Sequence, residues 1–308
     1  MQLGFPPAQR RPHSTNATCR TKTPSGRTSM LALISDIHAN LEALCAVFND
    51  IDTNGADRVD CLGDIVGYGP DPEACTDIII ERAEVTIMGN HDFALKHGPI
   101  GFNPMAADVI RKTRARMDPD EAVKDAPGAD GLYPCDCPDD ERRCLIRRHG
   151  SPERWAFVTG LPQTYTEDGR LYVHGSPLDP IFEYVFPDRF TQLWSPSHLQ
   201  AMFAEIESVA FCGHTHHPCV ITSDIECFYP PDMNYRFELH PDKKYIINVG
   251  SVGQPRDGDP RASYLRYDEN RRTVEWRRVP YDIETTVSKS ATMCGEENWC
   301  GKRLRMGK

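Results

Sequence analysis

The sequence predicts an α/β fold that begins with a βαβαβ unit of parallel strands. Two observations predict it: short apolar runs alternate with segments of helical period, and turn signals divide them. A third gives it interest, because a polar cluster follows each apolar run.

Residues 31–35 form the first apolar run, followed by Asp36-Ile37-His38-Ala39-Asn40. Leu41, Leu44, Cys45, Phe48 and Ile51 then recur at helical spacing behind Asn40, a good N-cap, and Thr53-Asn54-Gly55 ends that helix. Residues 58–62 read as the second strand, ahead of Gly63-Asp64-Ile65-Val66-Gly67-Tyr68-Gly69. Asp71-Pro72 opens a helix to about residue 82, with Asp at the cap and Pro at the first helical position. The third strand, 85–88, leads into Gly89-Asn90-His91-Asp92. Asn103-Pro104 caps a further helix to about residue 117.

Residues 118–150 lose periodicity and are rich in Pro, Gly, Asp and Arg, so they read as an insertion. Ser151-Pro152-Glu153 restarts a helix, and the Asp168-Gly169 turn precedes a strand at 171–173. A helix near 197–207 leads into a strand at 209–212, and the end is β-rich at 245–249, 262–267 and 274–279. One domain thus spans 30–285, and 286–308 reads as a tail without pattern.

The 308 residues suffice for a substantial core, and 39% hydrophobic with 26% charged residues is ordinary for a globular chain. No apolar run approaches membrane-spanning length. Residues 1–29 hold Arg10, Arg11, Arg20, Lys22 and Arg27 and no acid, without the apolar stretch of a secretory signal. They read as a disordered basic tail or as sequence ahead of a start at Met30, a transit peptide being the alternative. Without those five charges, 30 basic residues face 45 acidic ones. A body that acidic suits divalent cations and disfavours duplex nucleic acid, whereas a small phosphate substrate stays compatible because bound metals reverse the local potential.

Twelve cysteines form no disulfide framework: Cys45, Cys61 and Cys212 fall in apolar settings, which points to a reduced, cytoplasmic protein. Cys135, Cys137, Cys144 and His149 match no standard zinc spacing, and Cys294 and Cys300 carry less signal still.

The polar residues just after apolar runs are Asp36 and His38, Asp64, Asn90 and His91, His174, then His214 and His216. Loops at the carboxyl ends of strands form the ligand crevice of open α/β sheets. Carboxylate and imidazole drawn from five such loops are the makings of a two-metal site. His217 then reads as structural, because a further ligand would crowd the site.

Asp36-x-His38, Gly63-Asp64-x-Val66-Gly67, Gly89-Asn90-His91-Asp92, His174-Gly175 and Gly213-His214-Thr215-His216 together resemble the signature of the calcineurin-like metallophosphoesterase family, from about residue 31 to 282. The segment Asn248-Val249-Gly250-Ser251-Val252-Gly253-Gln254-Pro255-Arg256 resembles its small bacterial and archaeal phosphodiesterase branch, some members of which hydrolyse dinucleoside polyphosphates. The resemblance implies a four-layer α/β/β/α sandwich. It implies Asp36, His38 and His216 on one metal, Asp64 bridging, and Asn90, His174 and His214 on the other, with a bridging hydroxide as nucleophile. The ions would be two divalent transition metals, Mn, Fe or Zn, with Mn foremost.

His91 is the candidate catalytic residue, either a general acid or a donor to the phosphoryl oxygens. Asn40, Tyr68 and Arg256 are candidate substrate contacts, and Phe182, Tyr184 and Phe186 could stack on a nucleobase. Where protein-phosphatase relatives carry an Asp that orients the catalytic His and an Arg that grips phosphate, this chain has Gly67 and Tyr68, which argues against that activity. The expected partner is a small phosphate ester. The alternatives are a scaffold with a decayed site, or a metal-dependent nuclease.

Overall fold

The structure, a computed structural model, describes residues 30–120, 150–187, 195–295 and 297–308. Two six-stranded mixed sheets carry the chain. The first runs β3 (Val85–Thr86), β2 (Arg58–Cys61), β1 (Met30–Ile34), β11 (Ala262–Asp268), β12 (Thr273–Val279) and β9 (Arg236–Glu238). The second runs β4 (Thr164–Glu167), β5 (Arg170–Val173), β6 (Val209–Cys212), β10 (Tyr245–Asn248), β7 (Cys219–Thr222) and β8 (Cys227–Phe228). β1, β2 and β3 are parallel, joined through α1 (Leu41–Asn54) and α2 (Pro72–Arg82) as the expected βαβαβ unit, and β5, β6 and β10 are parallel in the other sheet.

Side chains alternate across a strand, so each strand here serves two apolar layers. On β1, Leu31 and Leu33 face the second sheet, where Tyr172, Phe211 and Ile247 meet them. Ala32 and Ile34 point the other way, onto Leu44, Val47 and Phe48 of α1 and Ile79 of α2. The outer face of the second sheet, including Ala210 and Cys212, packs on Leu199, Met202 and Phe203 of α6 (Pro196–Ala204). The result is the four-layer α/β/β/α sandwich, and burial on both faces explains why the strands read as unbroken apolar runs. Each fully buried Leu or Phe contributes about 1.5–3 kcal/mol. The seam between the sheets therefore fixes how their loop-bearing edges meet.

The remaining helices before residue 160 are α3 (Asn90–His97), α4 (Pro104–Met117) and α5 (Pro152–Thr159). Asn103 and Ser151 cap the last two by accepting from Ala106 and Arg154 N–H groups. The third strand is shorter than expected, since Met88 N–H donates to Pro162 O rather than extending the ladder.

Residues 286–308 correct the expectation of a tail. α7 (Ile283–Cys294) and α8 (Trp299–Met306) form a helical hairpin whose turn is closed by a Cys294–Cys300 disulfide. That bond is an exception, among the described residues, to the expectation of reduced cysteines; Cys61, Cys212 and Cys219 are free. The buried face of α7 is Thr286, Val287, Ser290 and Met293, half of it hydroxyl-bearing, so no apolar stripe marks it in the sequence. The leader 1–29 and most of the expected insertion, with Cys135, Cys137, Cys144 and His149, lie outside the described residues. No described helix is long and apolar enough to cross a membrane.

Candidate metal centre

Asp36 and His38 follow β1, Asp64 follows β2, Asn90 and His91 open α3 beyond β3, His174 follows β5, and His214 and His216 follow β6. All lie beyond carboxyl ends of strands, on the edge where the two sheets meet. The loops are stitched to one another: Asp36 N–H donates to Gly63 O at 3.0 Å, His38 N–H to Asp64 O at 2.9 Å and Gly213 N–H to His174 O at 3.1 Å. Short turns that place alternate side chains toward one point need unusual backbone. Asp36, His38, Asp64, His214 and His216 all hold φ between +47° and +66°, a region non-glycine residues seldom adopt.

The ring tautomers follow from the hydrogen bonds. A backbone carbonyl can only accept, so the imidazole nitrogen against it carries the proton. His38 Nδ1 donates to Val66 O (3.2 Å), His174 Nδ1 to Leu62 O (2.8 Å), His216 Nδ1 to Gln254 O (2.5 Å) and His214 Nε2 to Phe182 O (3.3 Å). Each neutral ring is thus left with a lone pair on its other nitrogen. His38 Nε2 and His216 Nε2 stand 3.1 Å apart, His216 Nε2 is 3.1 Å from Asp36 Oδ1, His174 Nε2 is 3.3 Å from Asp64 Oδ2, and His174 Nε2 is 3.2 Å from Asn90 Oδ1. Acceptors crowded against acceptors, all in buried side chains, require a cation between them, either a proton or a metal ion.

The donor set fits divalent metal. Three groups bring their ligand atoms within 4.8 Å of one another: Asp36, His38 and His216; His38, Asp64 and His91; and Asp64, His174 and His214. Asp64 is common to two of them, as a bridging carboxylate would be. Carbonyl-tethered imidazoles with mixed oxygen and nitrogen donors are the usual surroundings of transition-metal ligands.

Electrostatics favour neutral rings at most positions. Burial, with neighbouring positive groups, pushes His38 well down, and lowers His91 to about 4 and His214 to about 3. At His174 burial also opposes the charge, but the adjacent Asp64 carboxylate prevails and raises it to about 9. Asp36 and Asp64 are held below the usual carboxylate range, because facing imidazoles outweigh their burial.

The expected substrate contacts divide. Asn40 caps α1: Oδ1 accepts from Ala43 N–H and the Thr286 hydroxyl, and Nδ2 donates to Gly253 O and the Tyr281 hydroxyl. Its amide has nothing left for phosphate. Tyr68 is 9% exposed and its ring touches His38 and His91, so it is packing rather than an open platform. Arg256 remains available, its guanidinium 5.8 Å from the Tyr68 ring centre and its buried Nε without a partner among the described residues. Tyr184 stacks on the ligand candidate His214 at 3.6 Å and 23°, and on Phe186 at 5.2 Å, while Phe182 sets its edge on Phe93. His217 turns back onto Thr215 O.

Sequence reasoning missed Asp92. It accepts from the Ile65 and Gly89 N–H groups and ties the second motif to the third, while burial and the charge of Asp64 raise it to about 7. Its place directly after His91 was the only signal.

The calcineurin-like phosphoesterase family model matches residues 30–247. An uncharacterized protein of Methanocaldococcus jannaschii is 34% identical over 287 residues, spanning 91% of this chain and 99% of that protein. The metallophosphoesterase of Sphaerobacter thermophilus, a solved structure, superposes with a TM-score of 0.69 at 30% identity, over 92% of this chain and 100% of that one. A hypothetical protein of Pyrococcus horikoshii shares the fold, with a TM-score of 0.56 at 17% identity over 91% of this chain and 98% of that one.

Proposed function

This chain belongs to the calcineurin-like phosphoesterase family, and from that premise we propose that it is a two-metal hydrolase of a small phosphodiester, nucleotide or dinucleoside polyphosphate. The observation that carries the reading is the set of opposed lone pairs around Asp36, His38, Asp64, His174 and His216. Asp36, His38 and His216 would hold one ion, Asn90, His174 and His214 the other, with Asp64 between, and manganese the foremost candidate among manganese, iron and zinc. Such a pair of ions supplies an activated water and neutralises charge on the phosphoryl oxygens.

The chain's own residues do the rest. The carbonyl tethers on His38, His174, His214 and His216 fix each ring's orientation and direct its other nitrogen to the shared cluster. Arg256 offers the cleft a guanidinium with an unsatisfied Nε, suited to drawing in a phosphate and holding an oxygen. His91, grouped with His38 and Asp64 at the first turn of α3, stands where an imidazole can donate to a phosphoryl or leaving-group oxygen. No carboxylate meets its Nδ1 among the described residues, in keeping with Gly67 at the position where a protein phosphatase would place one. The free thiols of Cys61, Cys212 and Cys219 fit a reduced, cytoplasmic setting; the hairpin disulfide is an exception among the described residues.

The test is hydrolysis of bis-p-nitrophenyl phosphate by protein loaded with Mn²⁺, against the same protein in EDTA, followed by a panel of monoesters, diesters and dinucleoside polyphosphates. Absence of turnover on every member with two metals bound would leave the fold without this activity.

A further inference from the structure

Among the described residues, no polar group orients His91 through its Nδ1. Its Nδ1 is buried without a hydrogen bond among the described residues, and the backbone of Gly67 is what lies there: a Cβ at Gly67 would stand 2.1 Å from that nitrogen. What surrounds the imidazole is aromatic. Tyr68 lies 4.5 Å away between ring centres, His38 4.7 Å and Phe102 4.8 Å. Tyr68 itself sits at φ +59°, a conformation that a bulky residue keeps only when its surroundings impose it.

Those surroundings come from the C-terminal hairpin. Trp299 at the start of α8 sets its ring edge-on to Tyr68 at 5.7 Å, and Cys294 Sγ lies 3.6 Å from the Tyr68 carbonyl oxygen. The Cys294–Cys300 disulfide ties the end of α7 to the turn of α8 that carries Trp299. Tyr68, Ala106 and Cys300, with Phe102, Cys294 and Trp299 around them, form one small apolar cluster apart from the three apolar cores of the sandwich. Cys300 and Leu304 also line a cleft with His38, Tyr68 and Gln254.

We infer that Tyr68, pressed into place by the disulfide-closed hairpin, is the positioning residue for His91, and that thiol–disulfide exchange at Cys294–Cys300 thereby tunes turnover. Ring contact here does what a hydrogen-bonded carboxylate does for a histidine in other hydrolases. The inference rests on the phosphoesterase reading. In the exchange, a dithiol attacks Cys294, the half-buried sulfur, and the Cys300 thiolate leaves. The dithiol's second sulfur then resolves the mixed disulfide. Two electrons pass to the cysteines, two protons follow from the dithiol to make both thiols, and the dithiol ends as its own disulfide. The turn between the helices loses its cross-link, Trp299 loosens, and Tyr68 no longer fixes the imidazole. Misplacing a catalytic group by about 1 Å can cost about 10²-fold in rate.

The experiment uses the full chain loaded with Mn²⁺. Tyr68→Leu should lower kcat by about 10- to 100-fold with KM and metal stoichiometry unchanged, and Tyr68→Phe should restore the ring and most of the rate. Trp299→Ala, and reduction of the wild type by a dithiol, should each lower kcat several-fold, and the Cys294→Ser/Cys300→Ser variant should have the reduced rate and no response to the dithiol. Nitrogen-15 NMR of the His91 ring gives a readout apart from turnover: one sharp state in oxidised protein, broadened in Tyr68→Leu and on reduction. If Tyr68→Leu does not fold, Trp299→Ala and the reduced wild type carry the same test. Full kcat and an unchanged His91 signal in those proteins would overturn the inference while leaving the phosphoesterase reading intact. A wild type inactive on every phosphoester but with a redox-sensitive His91 signal would instead overturn the phosphoesterase reading.

Discussion

His38 Nε2 and His216 Nε2 stand 3.1 Å apart although each ring directs its Nδ1–H to a carbonyl, Val66 O for one and Gln254 O for the other. Two lone pairs at that distance repel, and a divalent ion between them removes the repulsion. Metal should therefore stabilise the fold as well as enable turnover. Ligand present at about 100 times its Kd contributes about 2.7 kcal/mol. Melting temperature should rise with Mn²⁺, Co²⁺ or Zn²⁺, rise less with Mg²⁺, which prefers oxygen and water, and fall back in EDTA. Equal shifts in Mg²⁺ and Mn²⁺ would speak against imidazole ligation.

Metal affinity should also climb with pH. In the metal-free protein the Asp64 carboxylate, working against burial, holds a proton on His174 up to about pH 9. Because the folded value is raised, that proton stabilises the metal-free fold at low pH, and the benefit fades as pH rises through about 9. A metal ion must displace it, so binding releases a proton in the range below about 9 and tightens as pH rises. Titration calorimetry in buffers of different ionisation enthalpy reads the proton count; zero released at pH 7 would refute it.

Asp64→Asn should abolish nearly all turnover, since Asp64 belongs to two of the three ligand groups and its Oδ1 also accepts from the His91 N–H at 2.8 Å. Loss should exceed that of Arg256→Ala. A variant keeping a tenth of wild-type kcat would mean that no bridging carboxylate is needed.

His91→Ala should keep two metals while kcat falls about 10²–10⁴-fold. Burial lowers His91 to about 4, so the ring is neutral near pH 7 and acts by donating a hydrogen bond rather than a full proton. The deficit should then be similar for p-nitrophenyl and alkyl leaving groups. A deficit confined to poor leaving groups would identify a general acid, and loss of a metal would make His91 a ligand.

Gly67→Ala tests the crowding behind that ring. Gly67 has φ +90°, and its missing Cβ would meet His91 Nδ1 at 2.1 Å. The variant should lose about 1–3 kcal/mol from backbone strain alone and should displace His91, lowering kcat with metal content preserved. Wild-type kinetics would show that the imidazole has room to move.

The candidate metal-binding side chains were legible in the sequence because strand-end loops hold Asp-x-His and His-x-His directly after apolar runs, which is enough to place Asp36, His38, Asp64, His174, His214 and His216 on one edge. The sandwich's strands were legible for the same reason: β1, β6 and β10 are buried on both faces. What stayed hidden depends on contacts distant in sequence. The carbonyl tethers of the histidines come from backbone, which carries no residue signature. β7 was missed because Cys219–Thr222 is too short to show a period, and α7 because Thr286 and Ser290 occupy its buried face. Three of the four side-chain hydrogen bonds of Asn40 go to Gly253, Tyr281 and Thr286, which its own sequence neighbourhood does not show.

Five metal-binding candidates keep a left-handed backbone that costs of order 1–3 kcal/mol apiece. Stability and function pull in opposite directions there, and a lineage released from the chemistry would gain by discarding them. On the phosphoesterase reading, their joint presence serves turnover rather than folding. A saturation library scored twice would expose the divide: Asn or Gly at 38, 64 and 216 should be tolerated or favoured when folding is selected in chelator, and rejected when hydrolysis is selected. Should both screens reject them alike, the kinked loops serve the architecture itself.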